Sequence, residues 1–426
     1  MIMFRRATFL LVFLSGLVSL TGQIANVNLF ILPYLFPFLI ILKTLFLKNL
    51  KFSSGEILLI ICLSVTVALY FFLGTGIGSG GTLIVAILAI CLNKQLSAQF
   101  SNKALNFQTL FTPLSQIYKF QLSLIALELL IIFLGYQRWL GEELSSVGNL
   151  QGYKIYNHAH FLNFIGLEGV GGLNSAFLGS QVASMLPVIA FALLWGSKEQ
   201  IRWSKTWLVS YSFFVAVTVS MTSLVMLFSA LALFYLVMPV RRHRHIKKVL
   251  FLIISPFFGS LIFYKIDNPA EFEVYYRAFI PGVEIFFHNL SELNWKSLLV
   301  GWGQVGHENN IQNSVVVGSD FGLMTLINQS GVILFAICFG SICYINVKTI
   351  RLFRLIKGME LSSDNNFTSL LFFAFGNLVV VNIFFVSLVH YTVAVEVGLR
   401  ELFALHIGIS LFVADYLQKK LSRTHS

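Results

Sequence analysis

The sequence is poor in charge. Asp, Glu, Lys and Arg make up 11% of its 426 residues, whereas about a quarter of an ordinary soluble domain is charged. Apolar residues reach 57%, and the mean hydropathy is +0.82. Runs of about 20 such residues, the length that a helix needs to cross a bilayer, recur along the chain. The composition therefore excludes a soluble globular domain and predicts a membrane protein.

Cysteines are few, and nucleotide-binding motifs are missing. The four cysteines all lie inside apolar runs and have no CxxC or Cys/His spacing, so neither a disulfide framework nor a zinc site is indicated. The sequence contains no DxD, GxxxxGKS/T, GxSxG or HExxH motif, which leaves nucleotide-driven chemistry without support. The net charge of +11 is not gathered on a soluble module, so it does not predict nucleic-acid binding.

The apolar runs predict an all-α polytopic protein with about twelve transmembrane helices. The uncharged run from Thr206 to Pro239 is too long for one crossing and is divided at the polar turn 220–223. The predicted spans are 7–22, 26–43, 56–73, 77–92, 119–136, 180–196, 206–220, 223–239, 249–265, 321–346, 367–387 and 399–416.

The distribution of charge predicts the orientation. With the N-terminus inside, twenty-three of the 29 Lys and Arg residues fall on the cytoplasmic side, and twelve of the 18 acidic residues fall outside. This is the positive-inside pattern. We therefore expect a multi-pass protein of the bacterial inner membrane with both termini in the cytoplasm. Its first apolar run follows Arg5 and Arg6 without a cleavage site, as in an uncleaved signal anchor.

Two outside connections are much longer than the others. We treat residues 1–426 as a single transmembrane domain with a first periplasmic loop at 137–179 and a second at 267–319. The first loop is rich in Gly, Asn and His, which predicts irregular structure. The second has aromatic and aliphatic residues at helical spacing from Phe272 to Leu299, which predicts amphipathic helices at the outer surface. Long loops without structure of their own are usually functional or disordered, and the helical pattern of the second loop argues against disorder there.

Cations on the outer side oppose the orientation bias and are candidates for function. Arg277 lies among aromatic residues in EVYYRAF, where a guanidinium could bind a phosphate in bidentate fashion. The alternative is a salt bridge with Glu273, one helical turn earlier. Arg138 could instead extend to the lipid headgroups, and Arg400 could pair with Glu396. The outer cations are Arg138, Lys154, Lys265, Arg277, Lys296 and Arg400.

Several other polar residues could carry chemistry. His158 and His160, in NHAHF, lack further ligands at a recognisable spacing, so a base that takes a proton from a hydroxyl is favoured over a metal site. Asp320, before the tenth span, could act as a base or as a helix N-cap. Glu128 and His406 are ionisable groups at membrane depth, where function is the default expectation and a hydrogen bond to a neighbouring span is the alternative.

Motifs in the two outer loops resemble a known family. Arg277 is followed by LLVGWGQVG, with Gly301 and Gly303, and then by SDFGLMTLINQSGVILF, where a polar tip opens a helix with a glycine about ten residues in. The first loop adds GGLNSAFLGSQVASMLP, with Asn174. These elements resemble the O-antigen polymerase family, within the O-antigen polymerase and ligase superfamily. Ser319 and Asp320 stand where the ligase branch usually has a His-Asn pair, which favours the polymerase branch.

The resemblance implies a fold, a reaction and partners. The fold is GT-C-like, and the reaction is glycosyl transfer between undecaprenyl-diphosphate-linked oligosaccharide repeat units, with no cofactor and no metal. Membrane lipids, a chain-length regulator and a flippase are the further partners implied, and nucleic acid is not. The implied catalytic residues are Arg277, Asp320, His158 and Glu168, and the implied substrate-binding residues are Arg138, Arg400, His160, Gly301, Gly303 and Asn174.

Two other functions remain open at this stage. A ligase that moves finished glycan to another acceptor shares the superfamily motifs. A flippase for the same lipid-linked oligosaccharide also has about twelve spans, but many transporters are built from repeated halves. The second long loop here follows the ninth span, and the two halves show no sequence echo.

Overall fold

The computed structural model describes nine continuous parts of the chain and some isolated helical positions between 52 and 65, between 226 and 231, and at 287 and 291. The continuous parts are 32–46, 80–100, 105–131, 182–197, 204–217, 295–300, 322–357, 365–387 and 399–424. Every regular element within these residues is a helix: α1 Leu32–Leu45, α2 Gly80–Gln99, α3 Phe107–Ile131, α4 Val182–Ser197, α5 Ser204–Val217, α6 Trp295–Val300, α7 Gly322–Lys357, α8 Asn365–Ser387 and α9 Leu399–Thr424.

Each of the eight longer helices coincides with a predicted span. The prediction of an all-helical protein is therefore confirmed over the described residues. The short helix α6 lies in the second long loop, at the end of the stretch that was predicted to be helical. The predicted spans 7–22 and 249–265 lie outside the described residues, as do the first loop 137–179 and most of the second loop 267–319.

Three helices extend furthest beyond the hydropathy pattern. α3 begins at Phe107 and not near 119, α7 runs on to Lys357, and α9 runs on to Thr424. The residues added to α9 are mainly polar or basic, such as Lys419 and its neighbours. Hydropathy marks where a helix would leave a membrane, whereas straight-chain polar residues are good helix formers, so α9 continues beyond its apolar segment. The residues added to α3 include Phe107, Leu110 and Leu114, which are buried in the core.

Two described helices are long and apolar enough to cross a membrane, judged by length and composition. They are Gly331–Leu352 in α7 and Asn366–Phe385 in α8, with mean hydropathies of 1.8 and 2.0. The apolar stretch Ile84–Gln99 in α2 is shorter. Most of the α8 stretch, 83%, is buried, against 24% of the α7 stretch. This difference agrees with the packing, because α8 is the central helix and contacts α3, α4, α7 and α9.

The ring contacts fix the directions of the last helices. Phe384 of α8 stacks on Phe403 of α9 at 5.2 Å between centroids, and Lys420 Nζ lies 5.3 Å from the ring of Phe367. α8 and α9 are therefore antiparallel. α7 and α8 are antiparallel as well, as two further contacts show, Phe339 with Phe385 and Asn346 with Asn382. As a result, α7 and α9 run parallel and begin at the same end of the bundle.

The opposite end is fastened by polar contacts to the backbone. The backbone N–H of Leu105 donates to the Tyr416 hydroxyl at 3.0 Å. Asn366 accepts from the N–H of Phe107 at 3.1 Å and donates to the carbonyl of Leu105 at 2.8 Å. We call this end, marked by Leu105, Asn366 and Tyr416, the basal end. The end where α7 and α9 begin is called the loop end.

α2 and α9 pack especially closely at Gly408. A Cβ atom added there would lie 2.9 Å from the Ala89 carbonyl oxygen and 2.9 Å from Leu92 Cβ. Small residues at helix contacts let two backbones approach each other, which is a common way of packing helices in membranes. Gly408 lies against Ala89 and Leu92, and Phe412 contacts Phe100 further along both helices. α2 and α9 are therefore parallel, so α2 also ends at the basal end.

Candidate functional site

Most of the predicted site residues lie outside the described residues, so the structure neither brings them together nor separates them. They are Arg277, Asp320, His158, Glu168, Arg138, His160, Gly301, Gly303 and Asn174. Arg400 is the second residue of α9, and the structure describes its backbone only. Glu128 has the same status in α3. The helices that flank the predicted motifs are described, however, and they show where the motifs are attached.

The second-loop motifs are attached to two helices that touch each other. α6 ends at Val300, directly before the Gly301-x-Gly303 motif, and α7 begins at Gly322, two residues after Asp320. α6 packs against α7. Both ends of the connecting segment are therefore held by one pair of packed helices. Arg400 begins α9 at the same end, since α7 and α9 are parallel and in contact.

The N-termini of α7 and α9 give the loop end a positive partial charge. The first backbone N–H groups of a helix have no partner within the helix, and the helix dipole adds to their attraction for anions. Such helix ends attract anions. Glu401, in the first turn of α9, is a buried carboxylate at 2% exposure, a position that the dipole favours, and it offsets part of the positive charge at the start of α9. Glu401 was not among the residues predicted from the sequence.

α7 is interrupted at Gly331. This buried glycine has φ 74° and ψ 166°, a conformation that is essentially restricted to glycine. The backbone therefore leaves the helical path nine residues after Gly322 and resumes it afterwards. Gly331 is also the glycine of SDFGLMTLINQSGVILF in the family resemblance. The structure gives a physical reason for a glycine there.

A buried hydrogen-bond network joins α3, α8 and α9 in the middle of the bundle. His406 Nδ1 donates to Asn377 Oδ1 at 2.5 Å, and Asn377 Nδ2 donates to the His406 carbonyl oxygen at 2.8 Å and to Ser410 Oγ at 2.6 Å. The amide oxygen can only accept, so His406 carries its proton on Nδ1 and accepts the Tyr118 hydroxyl at Nε2.

The network favours the structural reading of His406. Both ring nitrogens are used within the protein, and the side chains of His406 and Asn377 are fully buried. Buried polar groups without partners are costly, so this arrangement stabilises the helix contacts. The sequence had indicated a hydrogen bond from His406 to a neighbouring span as one of two alternatives. Tyr118, Asn377 and Ser410 were not identified, although polar residues inside apolar runs are the signal for such contacts.

Two further polar pairs attach α7 to its neighbours below Gly331. The amides of Asn346 and Asn382 donate to each other at 3.0 and 2.8 Å, which joins α7 to α8. Lys348 forms an ion pair with Asp415, which joins α7 to α9. These contacts hold the part of α7 that follows Gly331.

Two described lysines, Lys94 of α2 and Lys119 of α3, contact side chains elsewhere in the chain. Lys94 pairs with Glu56, whose other oxygen accepts from Asn93 Nδ2 at 3.0 Å. Lys119 lies over the ring of Trp207, with Nζ 4.0 Å from the centroid. Lys94, Asn93 and Lys119 lie on segments that the charge pattern assigned to the cytoplasmic side, whereas Glu56 and Trp207 lie at the starts of the predicted spans 56–73 and 206–220.

Metal ligands and thiols offer no further site in the described part of the chain. No group of three or more His, Cys, Asp or Glu residues is placed there to hold a metal ion, and His158 and His160 lie outside the described residues. Among the described residues, Cys62, Cys91 and Cys343 form no disulfide bond. The candidate site is the loop end, where α7 and α9 begin.

Comparison with known proteins leaves the family open, because no family model matches the chain and no curated protein matches it.

Proposed function

We propose that the chain is a polymerase of undecaprenyl-diphosphate-linked oligosaccharide repeat units, which makes O-antigen or a related surface polysaccharide on the periplasmic side of the inner membrane. The observation that carries this proposal is the ordered set Arg277, Gly301-x-Gly303, Asp320 and Gly331. The left-handed backbone of Gly331 supports it, because the last member of the motif stands where only glycine is unstrained. The packing of α6 on α7 supports it as well.

The proposed topology has twelve spans in a GT-C-like arrangement with both termini in the cytoplasm. The basal end then faces the cytoplasm, and the loop end faces the periplasm. The charge pattern supports this orientation, because 23 of the 29 Lys and Arg residues fall on the predicted cytoplasmic segments. Lipid tails of the substrates would enter between spans from the surrounding bilayer.

The proposed reaction needs no nucleotide sugar, because the donor brings its own leaving group. The acceptor hydroxyl oxygen forms a bond to the anomeric carbon of the donor sugar, and the bond from that carbon to the diphosphate oxygen breaks. The electron pair leaves with undecaprenyl diphosphate. Arg277, with Arg138 or Arg400, neutralises that developing anion, which is electrostatic stabilisation of the transition state. No metal and no cofactor takes part.

The proton of the acceptor hydroxyl needs a base. Asp320, His158 and Glu168 are the candidates, and a base of this kind works best when its pKa lies near ambient pH. Asp320 is the favoured candidate, since it precedes α7 at the loop end. The residues assigned to sugar and phosphate binding are Arg138, Arg400, His160, Gly301, Gly303 and Asn174.

Deletion of the gene separates the proposed function from its rivals. A lost polymerase leaves single repeat units that are still transferred to their final acceptor. A lost ligase leaves free polymer on the lipid carrier, and a lost flippase leaves repeat units on the cytoplasmic face. We expect single transferred repeats, resolved by gel electrophoresis of the surface glycan. Accumulation of lipid-linked polymer would instead establish the ligase.

A further inference from the structure

The two parts of α7 are connected in an unusual way. Residues 322–330 and the remainder of the helix meet at Gly331, whose φ of 74° and ψ of 166° interrupt the helical path. An unbroken α-helix is stiff because consecutive turns are hydrogen-bonded to each other. At Gly331 that continuity is lost, and the angle between the two parts depends on the backbone dihedrals of one residue. Glycine is also the residue with the widest range of these dihedrals.

The part of α7 after Gly331 is fastened to two other helices. Asn346 and Asn382 form a reciprocal amide pair, and Lys348 forms an ion pair with Asp415. These contacts tie the second part of α7 to α8 and α9. α8 in turn is held to α9 through Asn377. Movement about Gly331 would therefore displace residues 322–330 and leave the later part of α7, α8 and α9 in place.

We propose that Gly331 is a hinge about which residues 322–330 change their angle relative to the rest of α7. Hinges are a few residues that absorb a large change in φ and ψ between packed, rigid parts. Gly331 fits this description, since it lies between a helical segment and a fastened helix. The loop end of α7, where the segment bearing Asp320 is attached, moves with residues 322–330.

The use of this hinge rests on the proposed function. A polymerase of lipid-linked substrates must release its undecaprenyl diphosphate and realign a longer glycan after each addition. A change of angle in residues 322–330 would move the start of α7 away from the start of α9 between additions. The hinge itself can be tested without any measurement of activity.

Distances between spin labels on α7 and α9 test the hinge directly. The test pair uses Ile327→Cys, four residues before Gly331, with the exposed position Lys419→Cys on α9. The control pair uses the native, exposed Cys343 with the same Lys419→Cys. All four native cysteines are changed to alanine in the test protein, and the three other than Cys343 are changed to alanine in the control protein. Purified full-length protein in lipid nanodiscs is used, and distance distributions are measured by pulsed electron paramagnetic resonance.

We expect the test pair to give a distribution about twice as broad as that of the control pair, because only the test pair spans the hinge. Gly331→Ala should narrow the test distribution to the width of the control. Alanine is strained at the φ and ψ that Gly331 adopts and favours a continuous helix at this position. Gly340→Ala is the matched control on the same helix. An added Cβ there meets nothing within 4 Å, and the distribution should stay broad.

Equal widths for the two pairs in the otherwise unchanged protein would overturn the hinge, whether or not Gly331→Ala folds. A narrowed Gly331→Ala protein that still lengthens glycan at the normal rate would overturn the role of the hinge in turnover. Absence of glycan lengthening even with Gly331 in place would instead contradict the proposed function, and the distance comparison would still decide the hinge.

Discussion

His406 and Asn377 bond to each other twice, across the contact between α9 and α8. The imidazole Nδ1 donates to the amide oxygen at 2.5 Å, and the amide nitrogen donates to the backbone carbonyl of His406 at 2.8 Å. Asn377 also reaches Ser410 at 2.6 Å. One asparagine side chain thus satisfies three polar groups in the middle of the bundle.

Replacing Asn377 should therefore destabilise the protein markedly. Asn377→Leu keeps the volume but leaves the His406 imidazole and the Ser410 hydroxyl without their partner. We expect the free energy of unfolding to fall by about 1–3 kcal/mol, the cost of unpaired buried polar groups. Thermal unfolding in detergent measures the change. Gln418→Leu, at an exposed position of α9, is the control and should have little effect. An equal loss of stability in both variants would contradict a stabilising role of the network.

The close contact of α2 with α9 gives a second prediction. Gly408→Ala places a Cβ 2.9 Å from both the Ala89 carbonyl oxygen and Leu92 Cβ, so the helices must separate. We expect a loss of about 1–3 kcal/mol, as in other overpacked sites. Gly340→Ala, in open space, should be neutral or gain up to about 1 kcal/mol from helix propensity. The melting temperatures of the two variants measure the difference in stability. A Gly408→Ala protein as stable as Gly340→Ala would contradict the close approach of α2 and α9.

The ion pair between Lys348 and Asp415 predicts rescue by exchange of the charges. Lys348→Asp sets two carboxylates against each other and should loosen α7 from α9. Lys348→Asp combined with Asp415→Lys restores opposite charges and should recover most of the lost stability. The coupling should be about 1 kcal/mol, because Asp415 is partly exposed and such pairs contribute little more than this. A double-mutant cycle measures it, and independent effects would show that the pair does not bind α7 to α9.

The proposed orientation predicts which residues an impermeant reagent reaches. In a background without native cysteines, His158→Cys should react with a membrane-impermeant maleimide in cells whose outer membrane is permeable. Lys419→Cys, near the basal end, should react only after the inner membrane is opened. Labelling of Lys419→Cys in sealed cells would reverse the orientation derived from the charge pattern.

Sequence pattern alone predicted the helical class and the approximate positions of α1 to α5 and α7 to α9, because apolar runs of helical length are a strong signal. It did not predict that α3 begins at Phe107 or that α9 runs to Thr424. These ends depend on helix propensity and packing, which hydropathy does not report. Eight of the twelve predicted spans therefore have a described helix, with ends that differ from the prediction.

The polar contacts inside the bundle were harder to predict from the sequence. His406 was recognised as a candidate because it is ionisable, whereas Asn377 and Tyr118 could be paired with it only once the helices were placed. Asn377 and Tyr118 lie 29 and 288 residues away from His406 in the chain. A single sequence contains no signal for pairing across such separations. The residues proposed for catalysis remain predictions, since they rest on the order of motifs around Arg277.

Purified protein in lipid vesicles tests the central claim most directly. The substrate is the lipid-linked repeat unit extracted from cells that lack the gene, supplied without nucleotide sugars or divalent cations. The protein with Arg277 should convert single repeats into a ladder of longer chains, as should Arg351→Ala, which removes an exposed arginine of α7. Arg277→Ala should lower the rate by about 100-fold or more, as expected for loss of anion stabilisation. Ladders of equal length and rate from Arg277→Ala would contradict the account.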